Sequence, residues 1–401
     1  MIVGGGLAGA QSAEALRDKG FDGQIVIIAA EVHLPYERPA LSKDFLAGKT
    51  SLEDLTVHDA AWYRGADVDL RLGTTAASID TAGHTVGLED GGTVRYDKLL
   101  LATGSGSRRL PVPGADARGV LSLRTVEDAM RLDAALARGS SLAIVGAGWI
   151  GLEVAASARA RGVDVTVVEA ARLPLLSALG TEAAGVFAAL HRDHGVDLRL
   201  ECNVAAVTVG SEGVSGLTLD DGATIAADTV VVAVGAAPNT ALAEAAGLAT
   251  GGGGVLVDAA LRTSDADVFA VGDIAAAENP LLNTRIRTEH WANARKQPAV
   301  AAASMLGESA HYAELPYFFT DQYDLGMEYV GHAAGYERVV FRGDVAGREF
   351  VAFWLDASNR VLAGMNVNVW DVVDEVKALI RTAVPVDTDR LADPGVALGN
   401  L

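Results

Sequence analysis

The chain has 401 residues, half of them hydrophobic and 21% charged, which is enough for two or three hydrophobic cores and is not a disordered composition. Its formal net charge of −20 repels nucleic acid and anionic membrane, so neither is expected as a partner. Cys202 is the single cysteine, which excludes an internal disulfide, a Cys-x-x-Cys redox pair and a thiolate-bound zinc or iron–sulfur centre within the chain.

In chain order, Ile2-Val3 is a short apolar strand, followed by Gly4-Gly5-Gly6-Leu7-Ala8-Gly9 and an alanine-rich amphipathic stretch that reads as a helix. A second strand runs from Gln24 to Ala29. A β-meander is expected from about Asp67 to Val94, then a buried strand from Lys98 to Ala102 that ends in Ala102-Thr103-Gly104. Pro111, Pro113 and Gly114 mark a crossover. The opening pattern then returns: the strand Leu142 to Val145, the turn Gly146-Ala147-Gly148-Trp149-Ile150-Gly151, a helix, and a strand from Asp164 to Val168. The strand Thr229 to Val234 ends in Gly235 and a second crossover, with Pro238-Asn239. Gly251 to Gly254 is a turn, and Val268 to Asp273 returns to a buried strand. From Tyr312 the texture becomes aromatic and alternating, as in Phe350 to Leu355, and a helix follows over Val369 to Thr382. No apolar run approaches the roughly 20 residues that cross a bilayer, and no room is left for a signal peptide before Ile2-Val3, so a cytoplasmic protein is expected.

The repeated unit carries chemistry. In Gly-x-Gly-x-x-Gly the first glycine (Gly4, Gly146) makes the tight turn and the second (Gly6, Gly148) lets a pyrophosphate approach the backbone. The third (Gly9, Gly151) allows close helix packing, while the helix N-terminus supplies partial positive charge. Glu31 and Glu169 follow the next strand in each copy, where a carboxylate accepts hydrogen bonds from a ribose diol. Two dinucleotides are therefore expected on one chain. Glu169 would repel the 2′-phosphate of NADP, which favours NADH, although Arg172 stands three residues on.

The segment Leu34-Pro35-Tyr36-Glu37-Arg38-Pro39-Ala40-Leu41-Ser42-Lys43 resembles the flavin-side segment of FAD-dependent NAD(P)H:ferredoxin reductases, the putidaredoxin-reductase-like enzymes of cytochrome P450 and Rieske oxygenase chains. The resemblance continues through Ala102-Thr103-Gly104, Leu123 to Asp128, Gly151-Leu152-Glu153, Val234 to Asn239, Thr263 to Asp273 and Glu289 to Ala294. It ends in Phe319-Thr320-Asp321-Gln322-Tyr323-Asp324 and so covers nearly the whole chain. It implies an α/β architecture of two Rossmann-like domains with a C-terminal α+β interface domain. The expected boundaries are an FAD-binding domain at 1–109 and 236–311, an NAD-binding domain at 110–235 and the interface domain at 312–401.

The resemblance further implies site residues. Asp273 and Arg124 contact FAD, Trp291 sits against the isoalloxazine, and Lys43 lies near flavin N5 and pairs with Glu153. Gly4, Gly6, Ala8, Gly9, Glu31, Arg38, Ala76, Ala102, Thr103, Gly104 and Glu289 complete the FAD set. Gly146, Gly148, Ile150, Gly151, Glu169 and Gly235 form the NAD set. A cation beside the ring stabilises negative charge there, and the carboxylate orients the nicotinamide amide. The implied activity is hydride transfer from NADH to FAD, followed by single-electron transfer to a [2Fe–2S] ferredoxin feeding a cytochrome P450 or Rieske oxygenase. An NADH oxidase and an NADH-binding redox sensor resembling apoptosis-inducing factor are the alternatives.

Two departures stand out. Ala29-Ala30 replaces the family's Gly-Asp or Gly-Asn pair, leaving the ribose to Glu31, and the first strand is short, which points to an upstream start codon or looser FAD binding. No cysteine lies beside Leu41-Ser42-Lys43, where disulfide reductases and NADH peroxidases of the superfamily carry theirs. Cys202 is expected to be a packing residue. His191 and His194 have helical spacing but no acidic third ligand, so no metal site is expected. Arg285, Arg287, Arg295 and Lys296 form a basic cluster that offers a ferredoxin-docking patch, FAD phosphate contacts or plain solubility.

Overall fold

The computed structural model describes residues 1–211 and 213–401. Two compact units make up the chain: Met1–Glu37, Leu52–Gly106 and Ala236–Pro316 form the first, and Arg38–Ser51, Ser107–Gly235 and Tyr317–Leu401 the second. Among the described residues no helix is long and apolar enough to cross a membrane.

In the first unit, five parallel strands lie in the order Val68–Arg71, Ile25–Ile28, Ile2–Val3, Leu99–Leu101 and Val268–Ala270. Ile25–Ile28, Leu99–Leu101 and Val268–Ala270 are buried along their whole length, as strands covered on both faces must be. Helix Leu7–Asp18 buries its alanine-rich face on this sheet, beside helix Trp291–Met305. The meander is shorter than its alternating sequence predicts. Val68–Arg71 joins the parallel sheet as its edge strand, and only Ala76–Asp80, Thr85–Leu88 and Thr93–Arg95 form the antiparallel ribbon. Val68-Asp69-Leu70-Arg71 alternates apolar and polar residues as a hairpin strand does, so its pattern alone does not name its partner. The glycine turn is seen where expected, with Gly252 and Gly253 at positive φ between Thr250–Gly251 and Gly254–Val257.

The second unit repeats the plan. Its parallel sheet runs Asp197–Leu200, Asp164–Glu169, Ser141–Val145, Thr229–Val232 and Val120–Leu121, again with the strand before the glycine turn at the centre. A second three-stranded ribbon follows, Val204–Gly210, Gly213–Leu219 and Thr224–Ala226. The C-terminal part is a five-stranded antiparallel sheet in the order Tyr317–Gln322, Leu325–Gly331, Val361–Val367, Glu349–Leu355, Arg338–Asp344. Helix Val373–Thr382 covers it, starting four residues later than expected, and Val376 seats against Gly364. Trp354, fully buried, donates its indole N–H to the Leu179 carbonyl at 3.0 Å and so fastens this sheet to helix Leu176–Asp193.

Candidate functional site

The first glycine turn is packed on two sides and open on the third. A Cβ on Gly4, at φ 129°, would fall 2.1 Å from the Ala102 carbonyl oxygen, and one on Gly9 would fall 2.0 Å from that of Gly4. A Cβ on Gly6 would meet nothing within 4 Å. Gly6 is also the N-cap of helix Leu7–Asp18 and offers no side-chain cap. The turn thus presents uncapped backbone donors, the partial charge of a helix N-terminus and vacant space, a combination suited to a pyrophosphate.

Around it, the Tyr36 hydroxyl donates to Glu31 Oε2 at 2.6 Å and fixes the acid that follows the second strand. Thr103 and Asn239 exchange side-chain to main-chain bonds at 3.0 and 2.8 Å, which sets the loop Ala102-Thr103-Gly104. Asp273 lies in the 3₁₀ turn Gly272–Ile274, held by Gly272 N–H to Gln297 Oε1 at 2.7 Å. Arg287 donates to the Asp273 carbonyl at 3.3 Å and to Glu289 at 2.7 Å. Trp291 opens helix Trp291–Met305; its indole N–H donates to Glu37 at 2.9 Å and the Arg295 guanidinium lies 5.1 Å over its ring. Ala8 is buried in the first helical turn and Ala76 begins its ribbon strand.

The second turn has the same geometry. A Cβ on Gly146, at φ 102°, would lie 2.5 Å from the Ala233 carbonyl oxygen, and one on Gly151 would lie 2.2 Å from that of Gly146. Gly148 again has nothing within 4 Å and caps helix Trp149–Ala160 without a side chain. Glu169 ends its strand and accepts Ala147 N–H on Oε2 at 2.7 Å and Ala171 N–H on Oε1 at 2.8 Å. Arg172 is exposed and bonds the Thr181 hydroxyl at 2.5 Å. Ile150 is 40% exposed on the first helical turn, an apolar surface beside the glycines. The Gly235 carbonyl, at φ 103°, accepts Arg108 N–H at 3.0 Å.

Lys43 and Glu153 do meet. Lys43 Nζ lies 2.9 Å from Glu153 Oε1, and both are largely buried. Two further donors converge there that sequence reading missed: the Thr320 hydroxyl at 2.6 Å on Oε1 and the Ser42 hydroxyl on Oε2. Phe319 lies under the ammonium, 5.6 Å from its ring centre. Burial pushes the neighbouring Asp321 carboxyl above its ordinary range, against the pull of Lys43 and with the push of Glu153. In the same unit Arg38 Nη1 donates to the Arg124 carbonyl at 2.5 Å, while Asp128 accepts the Arg124 N–H at 2.9 Å.

His191 and His194 both turn to Tyr323, His194 stacking on it at 3.7 Å. Cys202 is half-buried behind Glu169, its thiol bonded to the Leu200 carbonyl at 3.2 Å. All four cations of the basic cluster face carboxylates: Arg285 to Glu278, Arg287 to Glu289, Arg295 to Glu37 and Lys296 to Glu314.

The chain matches the pyridine nucleotide-disulphide oxidoreductase family over residues 1–298 and the reductase C-terminal family over residues 317–401. It belongs to the pyridine nucleotide-disulphide oxidoreductases. Within them this oxidoreductase groups with the FAD-dependent ferredoxin reductases of the putidaredoxin-reductase type, enzymes that use FAD and a nicotinamide nucleotide. It is 43% identical over 401 residues to the ferredoxin–NAD(+) reductase component of the anthranilate 1,2-dioxygenase system of Burkholderia cepacia, covering 99% of this chain and 98% of that one. Its fold matches the ferredoxin reductase of the CYP199A2 system from Rhodopseudomonas palustris with a TM-score of 0.95 at 34% identity, over 99% of this chain and 98% of that one. It matches putidaredoxin reductase, solved as a covalent complex with putidaredoxin, with a TM-score of 0.95 at 34% identity, over 99% and 96% of the two chains.

Proposed function

We propose that this oxidoreductase carries reducing equivalents from NADH to a [2Fe–2S] ferredoxin that serves a cytochrome P450 or Rieske oxygenase. FAD, when bound, supplies the conversion between a two-electron donor and a one-electron acceptor. One observation carries the reading: two glycine turns on one chain each open a helix with no side-chain cap, at Gly6 and at Gly148, where an added Cβ would meet nothing within 4 Å. The names of the relatives support the partner class, since they are ferredoxin reductases of dioxygenase and P450 systems.

The first turn is assigned to FAD. Gly4, Gly6, Ala8 and Gly9 supply its backbone, Glu31 the ribose contact, and Asp273 a contact on the ribitol or pyrophosphate side. By resemblance Arg38, Ala76, Ala102, Thr103, Gly104, Arg124, Glu289 and Trp291 complete the set. Gly146, Gly148, Ile150, Gly151 and Gly235 line the NADH turn. Glu169 has one N–H on each oxygen, which fixes its orientation and leaves lone pairs for two ribose hydroxyls. The domain assignment follows: FAD-binding at 1–109 and 236–311, NAD-binding at 110–235, and the interface domain at 312–401.

Glu153 and Lys43 are assigned to the reacting end. A carboxylate has about four acceptor positions, of which Ser42, Lys43 and Thr320 fill three. The position left on Oε2 is suited to a carboxamide N–H, which would orient the nicotinamide, while Lys43 stabilises negative charge arriving nearby. No cysteine lies beside Leu41-Ser42-Lys43, where thiol-dependent relatives carry theirs, and Cys202 is spent on the Leu200 carbonyl, so the residues favour ferredoxin over a disulfide or a thiol-dependent oxidase path.

The test is NADH-dependent reduction of a panel of purified [2Fe–2S] ferredoxins, with oxygen consumption followed alongside. Reduction of one ferredoxin well above the oxygen rate is expected. NADH consumption unchanged by every ferredoxin, with peroxide as product, would replace this reading with an oxidase.

A further inference from the structure

The segment Asp321-Gln322-Tyr323-Asp324 has no part in the scheme above, although it is among the most distinctive in the sequence. Strand Tyr317–Gln322 turns Thr320 and Gln322 inward, 0% and 1% exposed. Helix Leu176–Asp193 brings His191 to the same place, at 0% exposure. From there the contacts form a single file. Thr320 Oγ1 lies 2.6 Å from Glu153 Oε1, Gln322 Nε2 lies 3.2 Å from Thr320 Oγ1, and Gln322 Oε1 lies 2.8 Å from His191 Nε2. The Tyr323 hydroxyl closes the file, 3.3 Å from His191 Nδ1.

The carboxylate at one end fixes the direction of every bond. An ionised Glu153 can only accept, so Thr320 donates to it. The Thr320 oxygen then receives the Gln322 N–H, which leaves the Gln322 carbonyl to accept from His191 Nε2–H. Burial drops His191 to about 4, so the ring is neutral and its Nδ1 accepts from Tyr323. Each bond polarises the next towards the carboxylate.

We propose that His191, Gln322 and Thr320 are positioning residues for Glu153, a one-way file of donors that holds its carboxylate aimed. The proposal rests on the reading above, in which Glu153 serves the nicotinamide. The charged and titratable groups facing Glu153 are Lys43 and Asp321; those facing His191 are His194 and Tyr323.

The test uses the FAD-loaded enzyme with NADH and two readouts, the acid limb of the pH profile of kcat/KM and the ring ¹⁵N spectrum of His191. In the wild type His191 should carry its proton on Nε2 at neutral pH. Thr320→Val removes a donor to a charged group and should raise the acid limb by about one pH unit. His191→Phe and Gln322→Met should raise it by a few tenths, the scale of polarisation along a chain, and His191→Gln, which restores an N–H, should reverse the change. In the Thr320→Val background His191→Phe should add nothing, because the file is already cut. Thermal unfolding identifies which variants remain folded, and Gln322→Met serves if His191→Phe does not.

An unmoved acid limb in the folded variants, additive effects with Thr320→Val, or a proton on Nδ1 of His191 would overturn the proposal. A Glu153→Gln enzyme close to wild type would instead remove Glu153 from the nicotinamide end. In that case a shift of the His191 resonance in Thr320→Val still establishes the file, and no shift refutes it.

Discussion

Ala147 N–H donates to Glu169 Oε2 at 2.7 Å, which ties the acid ending one strand to the glycine turn that follows its neighbour. The turn and the acid are thus one hydrogen-bonded unit. Ala171 holds the other oxygen at 2.8 Å.

That arrangement predicts a nucleotide preference. A 2′-phosphate would bring nearly two negative charges against a fixed carboxylate. Arg172, the nearby cation, is engaged with Thr181. NADH should be favoured over NADPH by at least about tenfold in kcat/KM, or about 1.4 kcal/mol. Glu169→Arg should shrink or reverse the preference, mainly through KM, because the ribose is remote from the reacting carbon. Steady-state kinetics with both nucleotides decide the matter; equal use by the wild type means that Glu169 does not meet the ribose.

The glycines separate folding from binding. Gly9→Ala and Gly151→Ala place a methyl about on top of a carbonyl oxygen, at 2.0 and 2.2 Å, and should destabilise the fold itself. Gly6→Ala and Gly148→Ala meet no protein atom. They should cost the fold no more than about 1 kcal/mol, the difference between glycine and alanine at an N-cap. Ligand affinity should still drop at least about tenfold, for FAD at Gly6 and for NADH at Gly148, since the methyl occupies the pyrophosphate's approach. Denaturant melts of the cofactor-free variants beside titrations with each nucleotide measure both effects. A Gly148→Ala enzyme with normal NADH affinity would falsify the cradle assignment.

Much of this was legible in the sequence because it is local. Gly4 to Gly9 and Gly146 to Gly151 declare their turns through spacing alone, and Glu31 and Glu169 follow from the next strand. Pairing between distant segments was not legible. Val68-Asp69-Leu70-Arg71 alternates as a ribbon strand does, and only its partner, Ile25–Ile28, places it in the parallel sheet. Ser42 and Thr320 are ordinary hydroxyls until Glu153 lies between them, from a helix more than a hundred residues away in sequence from either. The Lys43–Glu153 pair was reached through family resemblance, not through composition or periodicity.

Acid should weaken the protein well above the range where its carboxylates titrate. Burial lowers both His191 and His290 from 6.5 to about 4. The unfolded chain therefore takes up protons below about pH 6.5 that the folded chain refuses until about pH 4. The contribution of keeping these rings neutral is fully present above 6.5 and is lost as pH falls between those limits, at about 1.4 kcal/mol per pH unit for each histidine. Asp220, Asp228, Asp267 and Asp356 are held below their ordinary range and act at lower pH, whereas the raised Asp321 opposes the trend. Comparing His191→Gln with wild type isolates one contribution. Urea unfolding at pH 7, 6 and 5 should show a shallower slope for the variant; an identical slope would mean that His191 titrates normally in the fold.

Salt should change ferredoxin reduction only slightly. Arg285, Arg287, Arg295 and Lys296 look like a docking patch in sequence, yet their cations lie 2.6, 2.7, 3.3 and 3.2 Å from the carboxylates of Glu278, Glu289, Glu37 and Glu314. Each pair is close to neutral at the distance of an approaching protein. The whole chain carries −20, so an acidic ferredoxin meets mild repulsion at long range and no unbalanced positive field from this cluster. Added salt screens that repulsion over a Debye length of about 8 Å at physiological strength, and it weakens short-range pairing in the opposite sense. The two changes offset, and ferredoxin reduction should vary less than about threefold between low and physiological salt. Glu314→Gln releases Lys296 from its partner and should introduce a fall with salt that the wild type lacks. Rates of ferredoxin reduction in rising sodium chloride, for both proteins, give the answer. A steep and steady fall already present in the wild type would show that unbalanced positive charge elsewhere steers the encounter.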